Sequence, residues 1–168
     1  MAVLALACFA GCASGPGRSA NLPDGANALV VAVVDGDTIQ VTVGDRQERV
    51  RLIGIDTPEI AHPARGDLPP SEAECFGAEA QRYTAELLAV GSAIRLERDV
   101  VARDDYGRLL AYVYRASDGA FANFEIVRHG YAQPLAIAPN TTFADVFVDA
   151  ARSAERDDVG LWSACGGQ

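Results

Sequence analysis

Two short strings concentrate the chemistry of this chain: Asp35-Gly36-Asp37-Thr38 and, a strand's length later, Arg51-Leu52-Ile53-Gly54-Ile55-Asp56-Thr57-Pro58-Glu59. They place four carboxylates and a guanidinium at the ends of neighbouring strands. Crowded carboxylates repel one another unless a cation neutralises them. The cluster contains oxygen donors and neither His nor Cys, which disfavours a soft metal. Ca2+ takes carboxylates, backbone carbonyls and waters. Arg51 and, far along the chain, Arg108 after Tyr106-Gly107 add planar forks that suit phosphate. Two such forks beside a cation can stabilise the extra charge of a five-coordinate phosphorus. Taken singly, Asp-Gly and Asp-Thr-Pro are ordinary turn residues, and a lone arginine is an ordinary surface ion-pair partner. The combination points to an anionic, phosphate-bearing substrate.

The elements that must position these groups follow from periodicity. Residues 29–34 are a β-branched run ending in the Asp-Gly turn signal. Residues 38–43 alternate with period two, as a half-buried strand does, and Gly44-Asp45 turns the chain. Residues 48–55 form a third predicted strand, stopped by Asp56-Thr57-Pro58. Three prolines and a glycine make 62–70 a loop. Ser71 to Glu74 matches a capping box, and Phe76, Ala80, Tyr83 and Leu87 recur at helical spacing to about Val90, with Gly91 as the stop. Residues 94–97 and 109–114 are strands four and five, separated by a turn at Asp104-Asp105-Tyr106-Gly107. Helices are predicted over 123–129 and 142–157, the latter with Phe143, Val146, Phe147, Ala150 and Ala154 on one face. The order predicts an α+β fold: a five-stranded OB-type β-barrel carrying about three helices.

A length of 168 residues suits one domain. The net charge of −9 argues against broad, sequence-blind binding to polyanions and so counts against a nucleic-acid role. Residues 1–10 are an apolar run too short to span a bilayer and fit the apolar region of a secretory signal. Phe9-Ala10-Gly11-Cys12 resembles a bacterial lipobox whose cysteine carries lipid, although Phe9 stands where Leu is usual and no Lys or Arg precedes the run. The expected organisation is a signal over 1–12, a Gly/Ser/Pro-rich tether over 13–28 and the domain over 29–168, exported and either anchored through Cys12 or freely secreted. Cys8 would leave with the signal. Cys75 and Cys165 then remain, as a bridge in an oxidising compartment or as two free thiols; they lack the spacing of a metal site.

The chain resembles the staphylococcal nuclease (thermonuclease) family. The matching strings are 34–38, Arg51-Leu52 through Glu59, His62-Pro63, 76–80, Asp104 through Tyr112, Asn123, 127–130, Ala132, Pro139-Asn140 and Gly160-Leu161-Trp162, all in order. The resemblance implies that Asp37, Asp56 and the Thr57 carbonyl ligate Ca2+, with Asp35 supporting them. It implies Glu59 as the general base, Arg51 and Arg108 on the scissile phosphate, and Tyr106 on a flanking one. The implied reaction is hydrolysis of DNA, and of RNA, to 3′-phosphate ends by a monomeric enzyme. It also matches Ala138-Pro139 to a bond that can be cis.

Two departures bear on substrate. Asp105 stands where the family often has Lys or Arg, and 135–138 hold no aromatic where stacking tyrosines are found in the family's best-known member. Stacking contributes roughly 1–3 kcal/mol per base, so nucleic acid is expected to be held weakly. These departures keep a second reading open, a non-catalytic OB-fold binding module at the cell surface; a third, an acidic metal-buffering lipoprotein, leaves Arg51 and Arg108 unexplained. His62 is expected in solvent, His129 at a helix C-terminus, and Trp162 in the core.

Overall fold

The computed structural model describes residues 22–64, 66 and 69–166. The signal and lipobox, with Cys8 and Cys12, lie outside the described residues. No helix among those described is long and apolar enough to cross a membrane.

Five strands close a barrel: β1 (Ala28–Val33), β2 (Thr38–Val43), β3 (Arg46–Leu52), β5 (Ala93–Glu97) and β6 (Leu109–Arg115), in the order β1-β2-β3-β6-β5. The β-branched alternation drives it. Ile39, Val41, Val50, Ile94 and Val113 point inward and are fully buried. Only the β3–β6 pair is parallel, with Val50 opposite Leu109 and Arg51 opposite Leu110. Ala28 is already strand, and the Asn27 amide exchanges hydrogen bonds with the backbone of Leu96.

The third predicted strand is two strands. Gly54 takes φ 82°, and a Cβ there would run into the Phe147 ring. The chain therefore leaves the barrel after Leu52 and restarts as β4 (Gly54–Asp56), which pairs with β7 (Gln133–Leu135) in a separate small sheet. That kink carries Asp56 away from the barrel wall while leaving Arg51 on it. Asn123, fully buried, braces the break: its Oδ1 accepts the Val113 N–H at 2.9 Å and its Nδ2 donates to the Ile53 carbonyl at 2.8 Å. Either group, left unpaired when buried, would cost about 1–3 kcal/mol.

Four helices complete the fold: α1 (Gly77–Leu87), α2 (Ala122–Arg128), α3 (Ala144–Arg156) and the single turn α4 (Leu161–Ala164). The expected capping box does not form. Helix α1 starts six residues after Ser71, behind Phe76 in a left-handed conformation with no side-chain cap. Glu74 is spent elsewhere, on the backbone of Glu59, and Phe76 stacks on Tyr131 at 5.3 Å between ring centres. The same helix ends at Leu87 rather than near Val90, which is exposed, and Gly91 belongs to the turn before β5. On α3, Phe147, Ala150 and Ala154 are buried as expected, but Val146 is 43% exposed and its place on the inner face goes to Ala151. The Ala138-Pro139 bond is cis. Cys75 and Cys165 are bridged. Trp162 packs partly buried against the core.

Candidate active site

Asp37 is the anchor of the site. It leaves the Asp-Gly-Asp turn between β1 and β2 and is 1% exposed. Its Oδ2 accepts the backbone N–H of Thr57 at 2.9 Å and the Thr57 hydroxyl at 3.1 Å. Its Oδ1 accepts the Thr38 hydroxyl at 3.2 Å and meets Arg51 Nη1 in an ion pair. Charge-assisted bonds of this kind are stronger than neutral ones. One carboxylate thus joins the two acidic strings that the sequence separates by 20 residues. Gly36 permits the approach, because a Cβ there would collide with the Thr57 side chain. The Gly36 carbonyl is held in turn by the buried Thr84 hydroxyl of α1 at 2.6 Å.

Arg51 projects from β3 and is mostly buried. Its other terminal nitrogen donates to Asp56 Oδ1 at 2.6 Å and to the Ile55 carbonyl at 3.1 Å. The guanidinium therefore spans Asp37 and Asp56. Asp35 stands behind, its Oδ1 accepting the Asp37 N–H at 3.2 Å. Burial pushes the Asp35 carboxyl up, against the opposing pull of Thr38 and Arg51.

Arg51, Glu59 and Arg108 line one cleft of about 590 Å3. Glu59 presents a half-exposed carboxylate with His62 Nε2 at 3.4 Å from its Oε2. Its backbone is pinned on both sides: the Glu59 N–H donates to Glu74 Oε2 at 3.0 Å, and the Glu59 carbonyl accepts the Glu74 N–H at 2.9 Å. Arg108 is aimed by Asp104, which accepts its Nε at 2.6 Å and its backbone N–H at 2.9 Å. Burial alone would raise the Asp104 carboxyl, but the bonds from Arg108 outweigh it and hold the group below the usual carboxylate range. Tyr106 is almost fully exposed, its ring 5.5 Å from the Arg108 guanidinium carbon.

The predicted residues thus fall into two linked groups. Asp35, Asp37, Asp56 and Thr57 gather around Arg51, and Arg51 shares the cleft with Glu59, Arg108 and Tyr106. Asp105 lines that cleft as well, and Leu135 and Ile137 are among its apolar lining residues. Among the described residues no three His, Cys, Asp or Glu side chains gather as a metal group. A cation here would be held by two carboxylates, a carbonyl and water. That set still fits a hard cation, because every donor is oxygen, and Asp37 and Asp56 both face the one guanidinium of Arg51. Sequence reasoning missed two supporting residues. Glu74, which reads as a cap, anchors Glu59, and Thr84, inside the predicted helix and not singled out by its spacing, anchors the Asp-Gly-Asp turn.

The model of the family described as "Staphylococcal nuclease homologue" matches residues 49–164. The chain is 33% identical to a protein named Thermonuclease from Staphylococcus intermedius, over 82% of this chain and 77% of that one. It is 33% identical to a protein of the same name from Staphylococcus hyicus, over 89% and 85%. Endonuclease YncB of Bacillus subtilis (strain 168) is likewise 33% identical, over 91% of this chain and 69% of its own.

Proposed function

The chain belongs to the staphylococcal nuclease family, and from that premise we propose that it hydrolyses phosphodiester bonds of DNA, and of RNA, in a Ca2+-dependent reaction that leaves 3′-phosphate ends. One observation carries the reading: Arg51, Glu59 and Arg108 face one cleft, and Arg51 joins that cleft to Asp37 and Asp56.

Asp37, Asp56 and the Thr57 carbonyl would hold the ion, with Asp35 behind them. When bound, the ion polarises a phosphoryl oxygen and offsets its charge. The remaining work falls to the chain. Arg51 and Arg108 hold the scissile phosphate between two forks, Arg108 on the side of the leaving O5′. Glu59 takes a proton from a water as the water oxygen bonds to phosphorus. The bond from phosphorus to O5′ then breaks. The products are a 3′-phosphate and a 5′-hydroxyl, whose oxygen takes its proton from solvent, since a guanidinium does not give one up near neutral pH. Tyr106 stands where it can bond a flanking phosphate.

Weak substrate affinity belongs to the same proposal: Asp105 repels phosphate, and Leu135 and Ile137 offer no ring for a base. Those residues also favour a second reading, a binding module without catalysis. We place the protein outside the cytoplasm as a monomer, anchored to a bacterial membrane through lipid on Cys12 or released. The Cys75–Cys165 bridge supports export, because disulfides persist in oxidising compartments.

The ion is testable without turnover. Calorimetric titration of Ca2+ should give a single weak site, and Asp37→Asn should weaken it by at least roughly tenfold, the loss typical even of groups that only support a ligand. Equal Ca2+ binding by the two proteins would remove Asp37 from the ion site.

A further inference from the structure

We infer that Arg49 is a further substrate-binding residue of this cleft: its guanidinium takes the phosphate next to the scissile one, on the side that Tyr106 borders. The inference deepens the hydrolase proposal, and it rests on that proposal for the identity of the polyanion.

The chain contains no lysine, so every fixed side-chain cation is an arginine. Those around the cleft are engaged by acids. Arg51 holds Asp37 and Asp56, Arg103 forms a two-pronged pair with Glu48, and Arg108 gives its Nε to Asp104. Arg49 differs. It is exposed, and among the described residues it has neither a carboxylate nor a hydrogen-bond partner for its side chain. Alternation along β3 puts it on the same face as Arg51. It immediately precedes Val50, which pairs with Leu109, so the parallel register sets Arg49 beside Arg108.

The side chains meet as the backbone predicts. Arg49, Tyr106, Gly107 and Arg108 line a hollow of about 470 Å3 that adjoins the cleft. Two guanidiniums side by side repel one another, and an anion between them relieves the repulsion. Among the described residues nothing occupies the Arg49 fork, which leaves it for bidentate contact with phosphate, and the exposed Tyr106 hydroxyl adds a neutral donor. Asp105 lines the cleft but not this hollow. The strand that Asp105 repels on one side of Tyr106 therefore has a cationic path on the other. Arg49 supplies from β3 the charge that Asp105 removes from the turn before β6.

The test is binding of a fluorescein-labelled oligothymidylate, followed by anisotropy in EGTA over a series of NaCl concentrations. It compares the full chain with R49Q, R49K and R46Q. Arg46 begins the same strand on its other face and does not line the hollow. R49Q should weaken binding several-fold at low salt and flatten the plot of log affinity against log salt by about 0.7, one phosphate contact on a single strand. R49K should keep most of that slope, and R46Q should match the parent. In Ca2+, R49Q should raise KM and leave kcat unchanged. An unchanged slope in R49Q, or an equal loss in R46Q, overturns the subsite. A protein that binds through Arg49 yet cleaves nothing in Ca2+ upholds the subsite and overturns the hydrolase proposal.

Discussion

Glu59→Gln should lower kcat on single-stranded DNA by about 10²–10⁴-fold, the range lost when a positioned general base is removed. Gln has nearly the same shape and cannot take the proton. The bonds that fix this residue use its backbone N–H and carbonyl, both tied to Glu74, so the substitution leaves them in place. The side chain is half exposed and, among the described residues, its carboxylate bonds only to His62, so its loss removes no buried contact. Thermal stability and KM should therefore stay near the parent values while kcat falls. Parallel melting curves and initial rates check this. A loss of less than about fivefold in kcat would mean that Glu59 does not take the proton.

Removing the Cys75–Cys165 bridge, by Cys75→Ser with Cys165→Ser, should destabilise the domain by about 2–5 kcal/mol. The bridge joins residues 90 apart in sequence, and closing so long a loop takes much conformational freedom from the unfolded chain. The effect should appear as a fall in Tm on the order of 10 °C, and reductant should reproduce it in the parent protein. The bridge also has a local consequence. Cys75 lies between Glu74, which pins Glu59, and Phe76, which stacks on Tyr131 and begins α1. Freed from Cys165, this segment holds Glu59 less firmly, so kcat should fall with Tm even at temperatures where the variant is fully folded. Unchanged melting in reductant would show that the bridge does not support the fold.

The barrel was legible because its strands alternate. Ile39 and Val41 sit inside with Gln40 between them facing out, as period two requires. The acidic turn and the Arg51 strand were legible because each residue type there is poor core material and good chemistry. What the sequence hid depends on contacts between distant segments. Glu74 satisfies a local capping pattern, but Glu59, 15 residues earlier, offers its carboxylate a competing backbone N–H, and the bridge at Cys75 fixes the chain in that arrangement. Gly54 lies inside what reads as one strand over 48–55. Only Phe147, 93 positions later, makes its missing side chain necessary and so divides one predicted strand into two. Strand β7 has three residues with a proline in the middle, too few to alternate, and exists because β4 lies beside it. Arg49 needed the β3–β6 register before it could be set apart from other exposed arginines.

The central claim is that this arrangement of two arginines and one glutamate over an oxygen-donor ion site hydrolyses nucleic acid. Cleavage of a 5′-labelled single-stranded oligonucleotide by the purified domain, in Ca2+ and then in excess EGTA, tests it most directly. Cleavage in Ca2+ to fragments carrying 3′-phosphate, and none in EGTA, is the expected result. An intact oligonucleotide in Ca2+, or equal cleavage in EGTA, would contradict it.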